Sequence, residues 1–296
     1  MHRRVRVLWV VFVSVLFFAP ALLMGQSAGP VALVGGTLID GTGAPPVKDA
    51  VVLMQGGKIV GVVRGRAAIP AGAKVIDVGG KYVLPGLIDA HVHLASLSMR
   101  GKYNEAYGKD LLEAIAKNAR AHLLSGVTTV FDVGGAYHEL KQIRDEINAG
   151  KRVGARIFMA GPIIWNDRGQ PIPAPRSPAE ALHQQRLLRG EFVGVEGARE
   201  KVRELVRLGV DHIKVYQTGG TDQGYAGYAT RVSPQELVAI VEEATKAGLS
   251  VTAHTRGVEG CVNGVKVGLK ALHHVVYMGI PVPDETVRLL AESPVY

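Results

Sequence analysis

The sequence predicts an α/β protein in which a small β module precedes an array of alternating strands and helices. Three observations carry this reading. Residues 31–84 are rich in Val, Ile and Gly and have no helical period. After that point apolar strand-like runs alternate with helical stretches as far as Tyr296. Histidines then stand at the ends of several of the later runs, where an array of parallel strands places its chemistry.

The opening segment is set apart from the fold. A basic start with Arg3, Arg4 and Arg6 precedes an uncharged apolar stretch from Val7 to Met24, and small residues follow at Gly25, Ser27, Ala28 and Gly29. Residues 1–29 therefore read as a secretory signal peptide, or as an uncleaved membrane anchor, since this run is just long enough to span. Either reading places the working part in an exported, periplasmic or extracellular compartment, with membrane contact only through that segment. The chain has one cysteine, Cys261, so no internal disulfide can form and stability must come from the core. With 296 residues and 47% hydrophobic content the core can be large. The formal charge of +8 includes the three leader arginines, and the remaining basic residues are scattered without interleaved aromatics. That excludes a nucleic-acid footprint.

Residues 30–84 contain "VALVGGTLIDGTG", "AVVLMQGGKIVGVV" and "KVIDVGGKYVLPG", short apolar runs broken by glycine pairs, which are strand and hairpin signals. From 85 to 296 the order is "GLIDAHVHL", a helix near 108–125, "VTTVFDV", a helix near 138–149 and "ARIFMAG". A polar loop, a helix near 196–208, "DHIKVYQT", a helix near 234–247 and "SVTAHT" follow. A helix near 258–268, "KALHHVVY", a helix from about Asp284 and a final "SPVY" complete the chain. Alternation of this kind implies parallel strands joined by right-handed crossovers. The glycines of "SGV", "AGK", "LGV" and "AGL" stop the helices. Six strands and the first residues of a seventh are expected. A closed eight-stranded barrel takes about 250 residues, so the expectation is a C-terminally truncated chain.

His91 and His93 are two apart at the end of the first strand of the array and so face one side. His254 ends the fifth strand, and His273 and His274 fall in the sixth, where alternation lets only one of the pair point inward. Neutral imidazoles on several strand ends suit a divalent metal such as zinc. Lys214 lies inside an apolar strand, where an ammonium is costly; it is either a lysine that reaches solvent or one of lowered pKa able to carry a carbamate. His212 begins that strand and is expected far from the site, and His122 and His183 are read as ordinary helix and loop residues.

"GTLIDGTG", "KVIDVGGKYVLPGLIDAHVHL", "GVTTVFDVGG", "DHIKVYQTGG", "SPQELVAIVEEATKAGLSVTAHTRG" and "ALHHVVYMG" together resemble the amidohydrolase superfamily, in its imidazolonepropionase-like and Xaa-Pro dipeptidase (prolidase-like) group. The resemblance covers roughly residues 31–296. It implies a metal-dependent (β/α)8 barrel, incomplete here at about six to seven strands, with residues 30–84 as half of a β-sandwich. It implies two divalent metal ions, zinc by preference, held by His91, His93, Lys214 as a bridging carbamate, His254 and His274. His273 then occupies a place the family gives to an acidic residue, and Phe131 one it commonly gives to arginine before the aspartate matched by Asp132. The aspartate that the family places on its eighth strand, to bind metal and carry the proton, has no counterpart before Tyr296. The implied activity is hydrolysis of carbon–nitrogen bonds in small peptides or N-acyl amino acids through a metal-activated water. The alternatives are a cyclic amidine or imidazolone hydrolase, or an inactive fragment that only binds metal. Tyr216, Arg256, Tyr137 and His138 are candidates to touch substrate, and homo-oligomerisation stays open.

Overall fold

The computed structural model describes residues 29–95, 110–166, 190–218, 230–275 and 281–296. The leader expected at residues 1–29 and the loop that holds His183 lie outside the described residues, apart from Gly29. The chain divides into two compact units, Met1–Pro85 and Gly86–Tyr296. Among the described residues no helix is long and apolar enough to cross a membrane.

The first unit is one sheet. β1 (Val31–Leu38), β2 (Val47–Gln55) and β3 (Lys58–Arg64) form an antiparallel meander, and β4 (Lys74–Asp77) and β5 (Tyr82–Val83) add in parallel to the free edge of β1. β2 and β3 are joined by Gly56 and Gly57 alone, both at positive φ (58° and 75°), which is the twist a two-residue hairpin needs and only glycine adopts freely. A register shift between Leu33 and Gly36 exchanges the faces of β1. Ala32 and Val34 therefore pack with Val51, whereas Leu38 packs with Ala50 and Val52.

The second unit alternates strand and helix. Its elements are β6 (Leu87–Val92), α1 (Leu111–Leu124), β7 (Val127–Asp132), α2 (Tyr137–Asn148), β8 (Arg156–Met159), β9 (Trp165–Asn166), β10 (Glu191–Phe192), α3 (Gly194–Leu208), β11 (Ile213–Tyr216), α4 (Pro234–Lys246), β12 (Val251–His254), α5 (Val258–Val267), β13 (Ala271–His273) and α6 (Asp284–Glu292). The helices fall within a few residues of their expected bounds. The short pair β9–β10, parallel and two residues each, was read as part of a polar loop; strands this short leave no period in a sequence.

β6, β7 and β8 are parallel neighbours, as are β11, β12 and β13. The two groups are linked by backbone: Asp211 N donates to Met159 O at 2.8 Å, and Ile164 bridges Val215, giving to Lys214 O at 2.9 Å and accepting from Tyr216 N at 2.8 Å. Six parallel strands thus run in chain order, and Tyr296 exchanges backbone hydrogen bonds with Lys270 and Leu272 along β13 (3.1 and 2.8 Å). In a flat sheet the first and sixth strands would stand roughly 24 Å apart, at about 4.8 Å per neighbour. Instead the rings of His91 and His273 meet at 4.4 Å between centroids, so the array is curled back on itself.

The helices pack Ile115, Leu140, Ile143, Val202, Leu205 and Ile240 onto the outer faces of the strands, where Val130, Ile157, Val215 and Ala253 point. α3 stops at Gly209 in the left-handed conformation (φ 75°), as the "LGV" signal predicts. α4 begins with Pro234 after a capping box in which Ser233 Oγ accepts from Glu236 N, and Glu236 Oε2 accepts from Ser233 N at 2.8 Å. Glu236 Oε1 also accepts from Asn166 Nδ2 at 2.6 Å, tying α4 to β9. We expect Ser233→Ala to lower the unfolding free energy by about 0.5–2 kcal/mol in urea titrations without loss of total helix content.

Candidate metal centre

The parallel register sets out the site in rows. Tyr216, His254 and His273 are paired side by side across β11, β12 and β13. Two residues lower on the same inner face lie Lys214, Thr252 and Ala271. Opposite them, β6 delivers His91 and, just past its end, His93. The ring of His91 lies 5.3 Å from that of His93, 4.4 Å from that of His273 and 4.8 Å from that of His274. His254 is 4.6 Å from His274 and stacks on Tyr216 at 4.3 Å and 12°.

Strand alternation predicts one inward ring from the pair His273 and His274, and this is corrected: both face His91. His273 takes the inward strand position. His274 has already left β13 with φ 69°, followed by Val275 at 40°, and this left-handed turn swings its ring back to the cluster. Such a conformation costs a non-glycine residue about 1–3 kcal/mol, although histidine adopts it more readily than most.

Lys214 is 1% exposed, and its Nζ has no hydrogen-bond partner among the described residues. The same is true of His254 Nε2, His273 Nε2 and both ring nitrogens of His212. Burial, with no anion in contact, pushes the Lys214 ammonium down to about 7. Burial together with the neighbouring cation of Lys214 lowers His91 to about 3, and burial together with His274 and Arg256 lowers His254 to about 3. His273 falls to about 2, from burial and then from Lys214 and His91. At neutral pH the cluster is therefore a set of neutral imidazoles with available lone pairs, the form that binds metal. Among the described residues no three His, Cys, Asp or Glu side chains meet closely enough to hold an ion as they stand. The donors nonetheless fit a divalent metal in kind: borderline imidazole nitrogens grouped at strand ends, with Nε2 of His254 and of His273 buried and unpartnered.

The other candidates divide. His93 Nδ1 bonds to Gly134 O at 2.7 Å. Arg256 is half-buried beside His254, its backbone N donating to Thr218 Oγ1 at 2.8 Å. His138 is exposed at the start of α2. Tyr137, expected near the mouth, is corrected: it is 4% exposed, and its hydroxyl donates to Leu208 O at the end of α3, so its ring fills the core. His212 lies on the inner face two residues below Lys214, with its ring 5.6 Å from Phe131, which in turn stacks on Phe158 at 4.9 Å. Phe131 thus lines the interior below Lys214 with aromatic surface. Asp132 was not singled out as a site residue. It is fully buried and accepts from Leu94 N at 2.6 Å and Gly134 N at 3.1 Å; burial nevertheless raises its carboxyl to about 7.

Residues 82–291 match the amidohydrolase family, and the chain belongs to it. An ochratoxinase of Aspergillus niger is 27% identical over an alignment that covers 87% of this chain and 57% of that protein. Among solved structures, a molinate hydrolase superposes with a TM-score of 0.78 at 29% identity, covering 90% of this chain and 62% of that one. A prolidase complexed with N-methylphosphonate-L-proline gives 0.74 at 28% identity, covering 90% and 65%. The chain thus spans somewhat more than half the length of these relatives.

The buried lysine gives the metal-free chain a pH dependence of definite sign. Unfolded, Lys214 holds its proton up to about 10.5; folded, it releases it near 7. Between those values unfolding takes up a proton, so stability rises with pH across this window and levels off at its lowest value below about 7, where both states hold the proton. The urea midpoint of the metal-free chain should rise between pH 7 and pH 9.5. Lys214→Met should flatten that slope and, by removing an unpartnered buried amine, gain about 1–3 kcal/mol at pH 7.

Proposed function

We propose that the chain carries the metal-binding strands of an exported hydrolase that cleaves carbon–nitrogen amide bonds in small peptides or N-acyl amino acids. The observation that carries the reading is the meeting of His91, His254, His273 and His274 beside the buried, unpartnered Lys214. The family membership and the relatives named as prolidase and ochratoxinase support it. In this reading the six strands are the first six of an eight-stranded barrel, and the N-terminal sheet is half of a sandwich. The leader pattern of residues 1–29 supports export, with a membrane role limited to that segment if it stays attached.

His91, His93, Lys214, His254 and His274 would hold two divalent ions, zinc being favoured by imidazole donors. His273 is a further donor within reach of His91. Bound metal supplies a nucleophilic water at neutral pH and polarises the scissile carbonyl. The chain's own residues do the rest. Lys214, with its pKa lowered to about 7, has a substantial neutral fraction at neutral pH. That amine can add carbon dioxide, forming an N–C bond and releasing one proton, and the carbamate is an anionic group with two oxygens to offer. Tyr216, flat against His254, fixes the plane of that ring. Arg256 places a cation beside His254, suited to a substrate carboxylate.

Metal analysis is the test. The chain should bind about two zinc ions, and His91→Asn and His254→Asn should each weaken zinc binding by at least about 100-fold, beyond what loss of an outer partner costs. Zinc restored after chelation should bind in full only when bicarbonate is supplied, and Lys214→Met should remove that bicarbonate requirement. A chain that takes up no divalent ion sinks the reading.

A further inference from the structure

We propose that Asp132 is a positioning residue for His93: its buried carboxylate holds the Gly134 carbonyl against Nδ1, so that the imidazole presents Nε2 to the centre. Asp132 ends β7, where its neighbour Phe131 points inward to His212 and Asp132 points the other way. It is 0% exposed, and among the described residues no lysine or arginine pairs with it. Both of its oxygens serve the backbone instead. Oδ2 accepts from Leu94, the residue after His93, at 2.6 Å, and Oδ1 accepts from Gly134 at 3.1 Å. The Gly134 carbonyl then meets His93 Nδ1 at 2.7 Å. One carboxylate thus grips the chain on both sides of the contact that orients His93.

The chemistry of that contact is one-way. A carbonyl oxygen only accepts, so Nδ1 must carry the proton and Nε2 must keep its lone pair. The turn has no freedom to drift. Gly134 has φ 145°, and a Cβ there would lie 2.3 Å from Ile163 Cγ1, so the backbone passes where no side chain fits. Val133 N donates to Val92 O at 2.9 Å and closes the same joint between β6 and β7. Partners of this outer kind set ring orientation and are worth about 10–100-fold in metal affinity.

The test separates positioning from plain structural support. In the metal-free wild type, long-range 1H–15N spectra of the histidine rings should show His93 as the Nδ1–H tautomer, and the Leu94 amide should exchange slowly. Asp132→Asn leaves one backbone N–H facing an amide nitrogen. It should give a mixed His93 tautomer and weaken zinc binding by about 10–100-fold. Asp211→Asn is the control: Asp211, just ahead of β11, likewise takes a backbone N–H, from Met159 at 2.9 Å, and pairs with Arg144 at 2.8 Å, and neither partner lies in the turn that holds His93. It should lower stability and leave tautomer and affinity unchanged. The proposal is overturned by an Nε2–H His93 or a fast Leu94 amide in the wild type, both read without any variant. It is overturned equally by an Asp132→Asn chain with unaltered tautomer and affinity, or by Asp211→Asn acting alike. Only the zinc arm rests on the metal-centre reading. If the wild type binds no zinc while Asp132→Asn still mixes the tautomers, that reading fails and the positioning role stands.

Discussion

The curl of six parallel strands is the constraint from which the rest follows. It brings the end of β6 to the end of β13, so that side chains from the first and sixth strands share one small space. Five imidazoles and a lysine crowd there. Desolvation disfavours their charged forms, and each cationic form would repel the others. The cluster is driven to neutrality, which is what makes it a set of ligands rather than a patch of positive charge. The same burial that makes Lys214 costly as a structural residue makes it useful as a neutral amine.

The chemistry along the strands is unevenly matched. Just ahead of β11, Arg144 pairs with Asp211 at 2.8 Å and Asp211 accepts from Met159 N at 2.9 Å, an arrangement in which charge is matched with charge. At the end that finishes them, donors are left open and a backbone conformation is strained at His274. Between them Phe131, Phe158 and His212 fill the interior. The open donors are not confined to that end, since both ring nitrogens of His212 are also buried without partners.

The order of elements was legible because period and punctuation agree: apolar runs of strand length, helix stops at glycine, and the capping box ahead of Pro234 all point one way. The positions of His91, His93 and His254 at strand ends were legible for the same reason. Three things were not. β9 and β10 are too short to show a period. Tyr137 looked like a mouth residue because it follows a strand, yet its partner is Leu208 O, far away in sequence. Asp132 was matched to a family aspartate but given no role, because its partners are backbone N–H groups, which nearly every residue carries and no sequence marks.

The sixth strand shows where pattern reasoning gives way and why. Alternation along a strand and register across the sheet together select Tyr216, His254 and His273 as one inward row, and nothing local predicts that His274 should join it. It does so only by entering the left-handed region, a cost that extended strand geometry would avoid. That the ring is instead turned to within 4.6 Å of His254 and 4.8 Å of His91 means that the strand is bent toward the cluster at its last step. His273 thus adds a donor without displacing His274, because one reaches the centre by pleat and the other by turn.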